Sequence, residues 1–144
     1  MNWDLIGNEA FRGIEFHLSA GENILTETGS MAWHSGDVSM TTNMKGGLLK
    51  SIKRSILSGE SFFQNTWTGG ANGGMVTLVG GSPGEIVPVQ IGPQHPLHIE
   101  RGAYLANTGN ISINAKWEGL GGLLKEGLFA IRAEGDGTLF FTSY

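Results

Sequence analysis

The sequence contains no cysteine. That removes disulfides, thiolate metal sites and cysteine nucleophiles together, and it fits a reducing compartment. Charge is also scarce: charged residues make up 15 % of the chain, against an ordinary share of about 25 %. So few charges point to a surface partly covered by something else. The net charge of −4 argues against a general nucleic-acid binder, which needs a basic face to neutralise phosphates. No apolar run approaches the ~18–20 residues that cross a bilayer as a helix. The opening Met1-Asn2-Trp3-Asp4 has neither the basic nor the apolar region of a signal peptide. With only four prolines, and no three-residue period, the chain is not collagen.

Glycine is what the chain has in abundance, 24 in 144 residues. Simple disorder is excluded all the same, because 40 % of the residues are hydrophobic and the aromatics include four Trp and seven Phe. The class that remains is a turn-rich globular protein. Many of the glycines recur at a fixed spacing. Glu27-Thr28-Gly29-Ser30 returns in outline as Glu100-Arg101-Gly102-Ala103, 73 residues later. The same offset carries Gly36-Asp37-Val38-Ser39-Met40 to Gly109-Asn110-Ile111-Ser112-Ile113, and Ile14, Phe16 and Leu18 to Val87, Val89 and Ile91. Gly46-Gly47-Leu48-Leu49-Lys50 returns letter for letter as Gly121-Gly122-Leu123-Leu124-Lys125, and Phe62-Phe63 has an echo in Phe140-Phe141. A duplication explains these agreements. Its boundary falls near Gly80-Gly81-Ser82-Pro83-Gly84 and gives two units, residues 1–79 and 80–144.

The periodicity is that of strands. Ile14, Phe16 and Leu18 alternate with polar residues and share one face, as do Val38 with Met40 and Ile111 with Ile113. Met75–Val79 and Thr138–Thr142 are β-rich runs. Turn signals at Ala20-Gly21-Glu22-Asn23, Ser35-Gly36-Asp37 and Thr108-Gly109-Asn110 separate the runs at short intervals. This pattern predicts an all-β sandwich or barrel. One segment departs from it: over 48–57, Leu48, Leu49, Ile52 and Ile56 fall on one side at helical pitch, with Lys50, Lys53 and Arg54 opposite. It reads as a short amphipathic helix.

The segment from Gly46 to Gly69, with Gly59-Glu60-Ser61-Phe62 at its centre, resembles the hallmark of the altered-inheritance-of-mitochondria type 24 family. Gly29-Ser30-Met31-Ala32-Trp33 and the stretch from Gly121 to Tyr144 resemble it too, so the likeness runs along essentially the whole chain. The resemblance implies membership of the superfamily of the tryptophan RNA-binding attenuator protein. That superfamily placement implies tandem pseudo-symmetric β-sandwich units, usually three, of which this chain has two. It implies no established enzymatic activity. In eukaryotes the family is associated with mitochondrial inner-membrane organisation.

Each candidate site can be weighed on its chemistry. His95, His98 and Glu100 are the candidate metal ligands of a cupin-like site. His98 and Glu100 share a strand face, but His95 points elsewhere and the spacing matches no standard zinc site. Gly69-Gly70-Ala71-Asn72-Gly73-Gly74 lacks the Lys-Ser/Thr of a phosphate loop and reads as a hairpin connection. Ser58, Ser61 and Ser82 stand in no nucleophile elbow, and Glu60 reads as part of a structural block. Lys45, Lys50, Lys53 and Arg54 are candidate contacts for an anionic membrane surface or an acidic partner. The basic repeat that RNA binding would need is missing. Trp3, Trp33, Trp67 and Trp117 read as core or interface residues. The combined expectation is a non-enzymatic, membrane-proximal structural or scaffolding protein that forms closed, symmetric homo-oligomers through its sheet edges or apolar faces, uses no cofactor and binds no nucleic acid. Its expected location is the cytoplasm, or the mitochondrion in a eukaryote. The alternative is a cupin-like β protein that binds a small molecule or metal.

Overall fold

A computed structural model describes residues 1–43, 64–115 and 130–143. The amphipathic segment 48–57, the basic residues Lys45, Lys50, Lys53 and Arg54, and the Gly59-Glu60-Ser61-Phe62 block lie outside the described residues. Within them the chain is all-β, with ten strands and one short 3₁₀ turn, Arg101–Ala103. The strands are β1 (Asn2–Asn8), β2 (Phe11–Leu18), β3 (Asn23–Glu27), β4 (Met31–Asn43), β5 (Gln64–Val79), β6 (Glu85–Ile91), β7 (Leu97–Glu100), β8 (Tyr104–Asn107), β9 (Asn110–Ala115) and β10 (Ala130–Ser143). All pairings between them are antiparallel, and all ten join in one curled sheet.

Two long strands organise the sheet. The first half of β5 pairs β3 and its second half pairs β2, while β4 runs along β5 over its whole length. β10 does the same with shorter partners: its first half pairs β7 and β9, its second half β6 and β8. The registers correspond. Ile24 lies opposite Trp67 in β3–β5, and Leu97 opposite Ala133 in β7–β10. Trp33 faces Thr77 and His34 faces Val76, as Ala106 faces Phe140 and Asn107 faces Leu139. Phe140 thus holds the register position of Thr77; Phe62-Phe63, of the sequence echo, lie outside the described residues.

The turn signal at Ser35-Gly36-Asp37 does not end a strand. β4 continues through it with a register shift between Gly36 and Val38, and Gly36 supplies the positive φ of 77° that the irregularity needs. At the matching place in the second half, Gly109 (φ 61°) separates β8 from β9. The glycine run Gly69–Gly74 is likewise not a hairpin: it is the middle of β5. Glycine is required there because β5 passes directly under other backbone. A Cβ on Gly69 would collide with the carbonyl oxygen of Ser19 and lie 2.8 Å from that of Leu18.

Two buried clusters form the core among the described residues. Ile14, Phe16 and Leu18 are in the first, as their alternation requires, with Ile24, Trp67, Val76 and Leu78. Ile86, Leu105, Ala106 and Phe140 join the same cluster, so it draws on both sides of residue 80. Phe140 sits edge-on to Phe16 at 5.0 Å and to Trp3 at 5.4 Å, the geometry that aromatic quadrupoles favour. The second cluster gathers Ile91, Ile99, Ile111, Ile113, Ile131 and Leu139 with Tyr104. Arg12 of β2 clamps Glu85 of β6 with Nε at 2.8 Å and a second guanidinium nitrogen at 3.2 Å. The hydrogen bond raises the Arg12 pKa and lowers that of Glu85, and the Ile86 amide adds to the latter effect.

Candidate functional site

The two halves of the sheet meet where β3 pairs β8, with Leu25 opposite Asn107 and Thr26 opposite Ala106. A buried polar knot ties this seam. The Tyr104 hydroxyl donates to Asn107 Oδ1 at 2.6 Å and accepts from Gln64 Nε2 at 2.7 Å. Gln64 also donates to Asn107 Oδ1 at 3.1 Å. Burial pushes the Tyr104 phenol well above its ordinary value; the Gln64 hydrogen bond opposes this, and the charge of Glu27 adds to the rise. Partial burial also raises the carboxyl of Glu27, against a weaker lowering by the Thr28 hydroxyl. Thr26 Oγ1, Trp67 Nε1 and Asn107 Nδ2 are buried without a hydrogen-bond partner among the described residues. Sequence reading missed this junction, since Gln64, Tyr104 and Asn107 lie far apart in the chain and belong to no local motif.

β4 presents a different surface. Met31, Trp33 and Met40 are exposed on it, and β5 is its only described strand partner. The His34 ring lies 5.2 Å from that of the buried Trp67, tilted by 46°. Beside the Gly36 irregularity, Asp37 holds the Asn72 amide at 3.1 Å. There the sheet leaves an open groove of about 580 Å³ lined by His17, Ser35 and Asn72 among others.

Of the predicted site residues, the described ones are the candidate metal ligands His95, His98 and Glu100. His98 and Glu100 do share a face of β7, where His98 lies opposite Arg132. His95 sits in the turn before β7, its amide bonded to Gly92 O at 3.1 Å, and does not join them. His17 lies 3.3 Å from Asp4 and 3.1 Å from Glu15 on the first two strands. Among the described residues no group of three or more His, Asp or Glu side chains is gathered as a bound metal requires. No described helix is long and apolar enough to cross a membrane.

The fold defines the class as all-β proteins built on one curled antiparallel sheet. Within that class the chain belongs to the mitochondrial biogenesis AIM24 family, which it matches over residues 3–144, in accord with the resemblance of its sequence. It is similar to an uncharacterized protein of Streptococcus pyogenes serotype M6, 31 % identical over 140 residues that make up 91 % of this chain and 56 % of that one. It is also similar to the X-ray crystal structure of a Streptococcus pyogenes protein. There the TM-score is 0.77 at 30 % identity, over 99 % of this chain and 64 % of that chain. The chain therefore spans less than two thirds of the length of these relatives.

Proposed function

We propose that the protein is a non-enzymatic structural protein, built of two tandem attenuator-like β units, that works by assembling through its sheet edges. One observation carries the reading: β4 is a strand of 13 residues whose outer edge no described strand covers and whose exposed side chains include Met31, Trp33 and Met40. Soluble β proteins blunt such edges with charge, proline or a covering element, because unpaired N–H and C=O groups recruit other strands. From Met31 to Asn43 the only charged residue is Asp37. The low charge of the whole chain fits the same reading. The test is size-exclusion chromatography with light scattering at micromolar concentration. An assembly of two or more copies is expected, and a monomer across the accessible range refutes the proposal.

A further inference from the structure

The β3–β8 seam is an internal example of how this chain covers the kind of edge that β4 leaves open. β8 lies on β10 as Met31–His34 lies on β5. The facing pairs correspond, and each strand carries a one-residue irregularity at the same point, Ala32 in one and Leu105 in the other. The burial differs sharply. Tyr104, Leu105 and Ala106 are 3 %, 1 % and 0 % exposed, whereas Met31 and Trp33 are 38 % and 48 % exposed. What separates the two cases is β3, which pairs β8 and has no counterpart on β4 among the described strands. The strand that corresponds to β3 in the second half is β7: it pairs β10 through Leu97, His98 and Ile99 in the register that Ile24, Leu25 and Thr26 use on β5. β10 is the only described strand that β7 pairs.

We infer that β7 of one copy adds to the β4 edge of a second copy, with His98 opposite His34 and Ile99 opposite Trp33. The inference rests on the assembly reading above and names its partner and register. Main-chain hydrogen bonds give such strand addition its affinity, and the facing side chains give it selectivity. In the internal seam the facing pair Thr26 and Ala106 is fully buried. Ile99 and Trp33 hold the same two positions, so the intermolecular seam brings two apolar side chains together there and covers Trp33. The donor and acceptor edges are different surfaces, so copies join donor edge to acceptor edge, and the assembly closes when every β7 and every β4 edge is taken up.

The natural absence of cysteine makes the register directly measurable. Facing residues of antiparallel strands have Cα atoms ~4.5–5.5 Å apart, within reach of a disulfide. Protein carrying His34→Cys is mixed with protein carrying His98→Cys under mild oxidation and run on a non-reducing gel. The expected result is a cross-linked heterodimer from the mixture, none from either variant alone, and none when Ser39→Cys replaces His34→Cys. A chain carrying Thr26→Cys with Ala106→Cys serves as the internal reference, because that pair faces itself within one molecule. As a second measurement, Trp33→Lys changes a residue exposed in the single chain; it should leave the melting temperature of the diluted protein unchanged and weaken assembly about tenfold or more. Assembly by light scattering without the His34–His98 cross-link, or unaltered by Trp33→Lys, overturns the register and leaves the assembly reading standing. A monomer throughout overturns both.

Discussion

Replacing Tyr104 with phenylalanine isolates the polar knot at the seam. The ring is kept, so its packing in the second cluster is preserved, and only the hydroxyl is lost. That hydroxyl makes two short hydrogen bonds, one donated to Asn107 Oδ1 and one accepted from Gln64 Nε2. Each neutral buried bond contributes ~0.5–1.5 kcal/mol net, so the pair amounts to ~1–3 kcal/mol. The loss is not recovered by rearrangement inside the knot. Gln64 Nε2 already donates to Asn107 Oδ1, and Asn107 Nδ2 is another donor, not an acceptor that could replace the hydroxyl. A destabilisation of about 2 kcal/mol is therefore expected. Urea unfolding followed by tryptophan fluorescence reads it, since Trp67 packs in the adjoining cluster. With m near 1–3 kcal/mol/M, the midpoint falls by on the order of 1 M while m is unchanged. Adding Gln64→Leu to the variant should cost less than the two single losses together, because both remove the same bond. A shift below ~0.5 kcal/mol, the size of an ordinary surface substitution, would refute the claim that the knot holds the seam.

Two further outcomes follow from geometry and charge. Glu27→Gln should raise the melting temperature at pH 7 by an amount worth less than about 1 kcal/mol, given the solvent screening of a partly exposed group. Because burial raises the Glu27 pKa above its ordinary 4.5, the neutral form favours the fold; its contribution is complete below 4.5 and is lost as the pH rises through the folded value. Melts from pH 8 down to pH 4 should show the variant's advantage shrink, and an advantage that grows in acid would contradict this. Gly69→Ala forces a methyl group against the Ser19 and Leu18 carbonyls and should cost ~1–3 kcal/mol, whereas Gly81→Ala, with open space at its Cβ, should cost far less by the same denaturation assay.

Burial was legible in the sequence where alternation met a covered face. Ile14, Phe16 and Leu18 are buried as their spacing requires, and Ile111 and Ile113 are buried around an exposed Ser112. Val38-Ser39-Met40 carries the same alternation, yet Met40 is exposed, because burial depends on what lies over the strand and no local pattern encodes that. The glycines at 69–74 read as a hairpin because glycine marks turns and close backbone crossings with the same letter. Pro88 sits in β6, which the described residues place at an end of the sheet, where a missing amide does no harm. Among candidate ligands, the shared face of His98 and Glu100 was readable from period two, while the distance of His95 from them depended on the turn that follows β6.

The placement of β5 and β10 after all their neighbours in the chain also shapes how the protein can be made. β3 and β4 have no strand to pair until β5 has been synthesised, and β6, β7 and β9 have none until β10 has, because all their described partners come later in the chain. The earlier strands must therefore wait on the ribosome as unpaired chain, with β1–β2 the one hairpin free to close early. Pairing that spans such long stretches of sequence is slow, and transiently exposed strand edges are prone to aggregate. Yield in a living cell should therefore depend on how quickly translation reaches residue 143 as much as on the stability of the finished sheet.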